Sequence, residues 1–258
     1  MTTLSVSGKA GKLPGWADEL RRRYLRGESA QFVLHGNVHD LILTGADAVA
    51  KDAKAPKDAA GAAATEDRLL PLSEFLVKVL LEKKTAVAVF NVSTGVRFLK
   101  GKLPTGLEDL VLSKDPAKVL PLLERALTTQ SGLAVILEYA EAVAPAGETS
   151  FSTVDDRAAV VTLQRWSMLP AIDKADNLVL LLTENLSELH GKLVSNPRVA
   201  TVRVPMPDKD ERVRLLRLLD DDLSAEEVDQ FAEVTAGLKA VQIQGILAPS
   251  DPGMDDET

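Results

Sequence analysis

Three short, almost wholly apolar runs constrain this chain more than any other feature: AVAVFNV at residues 86–92, LAVIL at 133–137 and LVLLL at 178–182. A strand with one wet face alternates apolar and polar residues, because successive side chains point to opposite sides of the sheet. These runs do not alternate, so each must be covered on both faces, and each is too short for a core helix. Helical patterns separate them, at 115–127 and 155–166. Buried strands alternating with amphipathic helices predict a mainly parallel sheet between two helical layers, a three-layer α/β sandwich.

Other segments extend this frame. Residues 16–26 read as an amphipathic helix in which Trp16, Leu20 and Tyr24 recur every four residues, with Arg21, Arg22, Arg23 and Arg26 around them and Gly27 at the end. Residues 32–34 read as a strand, followed by the turn His35-Gly36-Asn37 and an apolar stretch at 41–43. Residues 69–81 read as a helix with Leu72, Phe75, Leu76, Val79 and Leu80 on one stripe and Pro71 confined to its first turn. A short strand at 201–204 follows, and beyond Pro205 three helical patterns (209–219, 225–235 and 239–247) run on without a strand between them. The chain therefore divides into a flexible N-terminus (1–15), an α/β domain (16–205), a small helical subdomain (206–248) and an acidic tail (249–258). The Ala-rich stretch 45–68 has interspersed Lys and Asp and no apolar face, and is expected to be a flexible surface insertion.

Composition removes several function classes. With 258 residues, 45% of them hydrophobic, the chain has material for a substantial core. It has no cysteine, which excludes disulfides, thiolate metal centres and cysteine nucleophiles. No apolar run approaches the roughly 18–20 residues that cross a bilayer. Lys9 and Lys12 have no apolar segment behind them, so no secretory leader is expected and the protein is assigned to the cytoplasm. Thirty basic against 38 acidic residues leave a net charge of −8, which argues against general nucleic-acid binding.

Ligands of such sheets bind at the carboxyl ends of the strands. Behind the run at 86–92 stand Thr94, Gly95, Gly101 and Lys102, which invite comparison with a phosphate-binding loop. The spacing between the two glycines is one residue too long, and Leu103 stands where a magnesium-binding hydroxyl belongs. The second run ends Glu138-Tyr139-Ala140-Glu141. A magnesium-dependent nucleotide hydrolase places an Asp at such a strand end; here Glu138 holds that place, and Glu141 is near enough to assist. The third run ends Thr183-Glu184-Asn185, where Asn185 is a candidate contact for a terminal phosphate or simply a turn residue. His35, His39 and Asp40 have a metal-like spacing, but that spacing works on a helix and Gly36-Asn37 makes a turn, so no metal site is expected. Three histidines, with His190 isolated, give no Ser–His arrangement.

The strand end LAVILEYAEAV, the strand LVLLLTEN, and VRVPMPDKDERVRLL leading to FAEVTAGLKAVQIQGIL resemble the AAA+ ATPase family over roughly residues 85–247. The resemblance implies a P-loop NTPase-like α/β body with a helical lid, Glu138 in the metal-binding Asp place and Asn185 in the first sensor place. Arg198 falls approximately in the arginine-finger place, off by one position when aligned from Pro205. The departures are a missing phosphate-loop signature, Tyr139 in place of a hydrolytic Glu, no Arg beyond Arg217 for a second sensor, and a lid of about three helices against the usual four. In this the chain is similar to the inactive N-terminal halves of some bacterial two-module AAA proteins. The resemblance implies a structural or regulatory module without ATP hydrolysis, acting through self-association or through an active AAA+ ATPase partner. An alternative is an atypical ATPase in which ATP and magnesium lie between residues 95–102 and Glu138 and Asn185, with a partner subunit completing the site. A third reading is an anion or nucleic-acid binder using Arg21, Arg22, Arg23 and Arg26.

Overall fold

The computed structural model describes residues 13–44, 68–102, 113–147 and 153–247. Helix α1 (Gly15–Leu25) leads into β1 (Gln31–Gly36), then β2 (Leu41–Thr44) and β3 (Arg68–Pro71). Helix α2 (Leu72–Phe75) continues as one wider π-turn over Leu76–Leu80. Strands β4 (Ala86–Asn91) and β5 (Gly95–Lys100) follow, then α3 (Pro116–Thr129), β6 (Leu133–Leu137), α4 (Ala140–Val143), α5 (Val154–Trp166), α6 (Pro170–Lys174), β7 (Leu178–Thr183), α7 (Gly191–Val194) and β8 (Val199–Val204). Three helices close the described chain: α8 (Lys209–Leu219), α9 (Ala225–Val234) and α10 (Ala240–Leu247).

The main sheet has six strands in the order β5-β4-β6-β7-β1-β8, all parallel except the edge strand β5, which is antiparallel to β4. Alternate side chains of each central strand enter different layers. Val33, Val135, Val179 and Leu181 pack with α3, α5, α6 and α7, through residues such as Leu120, Leu123, Leu163, Trp166, Ile172 and Leu193. Phe32, Leu34, Ile136, Leu180 and Leu182 pack with α1 and α2 through Trp16, Leu20, Tyr24, Phe75 and Leu76. The mainly parallel, doubly covered sheet expected from the three apolar runs is present. A separate core of Leu215, Leu216, Val228, Ala232, Ala240 and Ile243 holds the last three helices together, with Leu41 and Leu69 of the β2–β3 ribbon packed against it.

One element departs from the sequence pattern. Residues 68–71 pair with 41–44 as an antiparallel ribbon instead of opening the helix, which starts at Leu72 behind Pro71. Proline disfavours helical backbone in the residue before it, so Leu70 is held extended and Leu69 and Leu70 are free to pair. The Ala-rich stretch, apart from Arg68, lies outside the described residues, as do residues 1–12 and the acidic tail.

Candidate functional site

The connection leaving β1 runs through α2, on one face of the sheet, whereas those leaving β4, β6 and β7 run through α3, α5 and α7 on the other. Neighbouring strands β1 and β7 thus send their chains to opposite sides. The crevice between their carboxyl ends is the topological switch point, where open α/β sheets bind ligands. It is built from the turn 36–40 behind β1, Glu184 and Asn185 behind β7, and Glu138 and Tyr139 behind β6.

A phosphate-binding loop needs a strand, a glycine-rich turn whose amides stay free, and a helix. Behind β1 the turn has Gly36 alone, no Lys or hydroxyl residue, and enters β2, a strand. Its first three amides are also taken: Gly36 N–H donates to the Glu184 carbonyl (3.0 Å), Asn37 N–H to the Val204 carbonyl (2.9 Å) and Val38 N–H to the Gly36 carbonyl (2.9 Å). Gly36 has φ 99°, and a Cβ at this position would lie 2.6 Å from the Val204 carbonyl oxygen, so only glycine lets the turn press this closely on β8.

Side chains line the rest of the crevice. His39 stacks on Tyr139, with ring centroids 4.3 Å apart and planes 18° from parallel. Tyr139 holds this position with φ 55° and ψ 52°, a left-handed conformation that a bulky residue adopts only under constraint from its surroundings. The Glu184 carboxylate meets Lys239 Nζ at 2.7 Å, and that bond holds its pKa below the usual glutamate range. Asp40, 3% exposed, accepts Asn37 Nδ2 (2.7 Å) and two backbone amides of α10, Ala240 (2.7 Å) and Val241 (3.1 Å).

The residues singled out in the sequence are scattered around this crevice. The Glu138 carboxylate is at the end of β6, but it accepts Asn91 Nδ2 (2.9 Å) and Arg97 (3.3 Å). Thr94 is consumed in the β4–β5 turn, where its N–H and hydroxyl both donate to Asn91 Oδ1, at 2.8 and 3.0 Å. Gly95 and Gly101 flank the two ends of edge strand β5, about 20 Å apart at strand rise, and exposed Lys102 lies past the far end. No helix follows Gly95, so these residues do not converge on one anion. The sequence spacing points to the turn behind residues 86–92, whereas the fold puts the corresponding turn behind β1. Phe32, Val33 and Leu34 read as a strand in the sequence, but only pairing shows that this strand lies between β7 and β8, at the switch point. Exposed Asn185 donates to Glu188 (3.0 Å) as it enters a short 3-10 turn. One Glu141 oxygen, Oε2, is buried with no hydrogen-bonding partner among the described residues. Arg198 precedes β8, at the opposite, amino-terminal end of the sheet.

The acidic groups Glu138, Glu184 and Asp40 are therefore already bonded around the crevice, and a polyphosphate would meet their negative charge there. ATP and magnesium do not fit the residues present. Among the described residues no group of three or more histidines and carboxylates has the arrangement of a metal site. The arginines of α1 are also engaged: Arg21 and Arg22 pair with Asp18 (3.2 and 3.1 Å), and Arg23 pairs with Glu19 and Glu28 (3.3 and 2.5 Å). His190 caps α7, its Nδ1 accepting Lys192 N–H. No helix among the described residues is long and apolar enough to cross a membrane.

The sequence matches the family model described as AAA+ chaperone, N-terminal Rossmann-like domain, over residues 7–205. A search of the curated proteins finds no match.

Proposed function

Because this chain belongs to the family of AAA+ chaperone N-terminal Rossmann-like domains, we propose that it is an AAA+-like module that has lost nucleotide hydrolysis and works as a structural or regulatory protein-interaction domain. The observation carrying this reading is the turn behind β1, whose three successive amides at Gly36, Asn37 and Val38 are spent on carbonyls of the chain itself. Two features of the sequence support it: no G-x-x-x-x-G-K-S/T stretch occurs, and Tyr139 follows Glu138 where a water-orienting Glu would stand. Phosphoryl transfer depends almost wholly on positioning and electrostatic stabilisation, so a turn with its first three amides taken and no lysine or hydroxyl of its own supplies little of either. In this reading the module is cytoplasmic, and its partner is a second copy or an active AAA+ subunit.

The test is thermal unfolding with and without magnesium and ATP or ADP, alongside phosphate release. A ligand at about 100 times its Kd stabilises the fold by roughly 2.7 kcal/mol, a clear shift in Tm. No shift and no turnover are expected. Turnover abolished by Glu138→Gln would refute the reading in favour of an active enzyme. Binding or turnover that appears only on adding a partner AAA+ subunit would instead establish the composite ATPase, with Glu138 and Asn185 as this chain's contribution.

A further inference from the structure

Helix α10 begins badly for a helix inserted into a crevice. The first amides of any helix lack intrahelical acceptors and carry the positive end of its dipole. A neighbouring Ser, Thr, Asn or Asp usually supplies the acceptor, but the residue preceding α10 is Lys239, which has none and adds a positive charge. The local sequence offers one remedy, the Gln242 side chain, which accepts Lys239 N–H at 2.8 Å. The other acceptors come from residues far away in sequence. Asp40, 200 residues earlier, receives the amides of Ala240 and Val241 through one oxygen each, and Glu184 neutralises the Lys239 ammonium. Asn37 fixes the Asp40 carboxylate from behind. Both arms start at the switch point, one behind β1 and one behind β7.

We propose that Asp40 and Lys239 form a built-in latch, the carboxylate standing where an anionic ligand would sit on α10, that holds the helical subdomain shut on the sheet with no ligand between them. The two hydrogen bonds to Asp40 are charge-assisted and 97% of that residue is withdrawn from solvent, so they are the stronger arm. The Lys239–Glu184 pair is partly exposed and is the weaker one. Leu41 and Leu69, packed against the core of α8–α10, become wet when the latch opens. The inference does not depend on whether the module hydrolyses nucleotide, and its test uses none.

Hydrogen exchange on the full chain, in the regime where exchange reports local opening, separates the outcomes. For Asp40→Ala, amides of α8 and α9, which Asp40 does not touch, should exchange about tenfold faster or more, since a hydrogen bond to a charged group is worth roughly that factor. Amides of β1, β6 and β7 should keep their protection. Acceleration spread evenly over sheet and helices would overturn the latch, because Asp40 would then support the whole fold alike; so would no acceleration in α8 and α9. Should Asp40→Ala fail to fold, Lys239→Ala is measured instead. A rise of about twofold to fivefold confined to α8–α10 is then expected, and a uniform change or none would overturn the proposal.

Discussion

Gln31 is the sharpest test of how this core is built. It lies at the start of β1, in register between Val179 of β7 and Val199 of β8, and only 1% of it is exposed. Strand alternation turns it to the same face as Val33, towards α3, α5 and α7. Neither its side-chain oxygen nor its nitrogen has a hydrogen-bonding partner among the described residues. A buried polar group left unpaired costs about 1–3 kcal/mol, so the two together cost roughly 2–6 kcal/mol. The lower end is the better expectation, because water reaching the amide would satisfy part of it. Gln31→Met keeps an unbranched side chain of similar length and removes both polar groups. Its expected effect is a gain of about 2 kcal/mol in unfolding free energy. For a chain of this size that raises Tm by roughly 4–8 °C. Urea unfolding followed by circular dichroism should show a higher midpoint with an unchanged slope. A lower midpoint at unchanged slope would refute the reasoning, because it would mean that the amide is well bonded through ordered water.

Two further predictions concern groups whose partners are on the page. Asn177, fully buried, accepts Leu133 N–H at 2.7 Å and donates to the carbonyls of Leu127 and Gln130 at 2.7 and 2.8 Å, tying the end of α3 to the start of β6. Asn177→Ala strands all three backbone groups and should destabilise by about 3 kcal/mol in chemical unfolding; a loss under about 1 kcal/mol would show that the joint reorganises. Glu211, in the capping box of α8, has its pKa raised by burial first and by the nearby Asp208 carboxylate as well. With the folded value above the unfolded one, its contribution to stability is complete below the unfolded pKa and is lost as pH rises through the folded pKa. The stability of the wild type relative to Glu211→Gln should therefore fall as pH rises above about 4.5; a difference that is flat with pH, or rises, would contradict this.

The α/β frame was legible because its signal is local. Runs such as LAVIL and LVLLL admit few alternatives to a doubly covered strand, and the helix of Trp16, Leu20 and Tyr24 buries those residues as its spacing requires. Pro205 marked the change to helices, and the capping pairs Asp208–Glu211 and Ser224–Glu227 start α8 and α9. The β2–β3 ribbon was harder to see, since Leu69 and Leu70 continue the helical stripe in sequence and only their pairing with residues 42 and 43 reveals a strand. The site was the least legible part. Thr94, Gly95, Gly101 and Lys102 follow the most conspicuous strand, yet that strand turns straight back into the antiparallel hairpin partner β5 and does not border the switch point. The crevice belongs to the inconspicuous β1.

By itself, then, the order of residues decided which segments could be strands or helices, that helices would cover both faces of the sheet, and that a phosphate loop of ordinary spacing was lacking. Tertiary structure alone decided which strands border the switch point, because sheet order comes from pairing between segments more than a hundred residues apart, β1 with β7 and β8. It also decided what Asp40 does. A carboxylate in a turn and a lysine before a helix carry no sign of each other in one dimension, and only their meeting at the strand ends turns an acid into the cap of a helix 200 residues away.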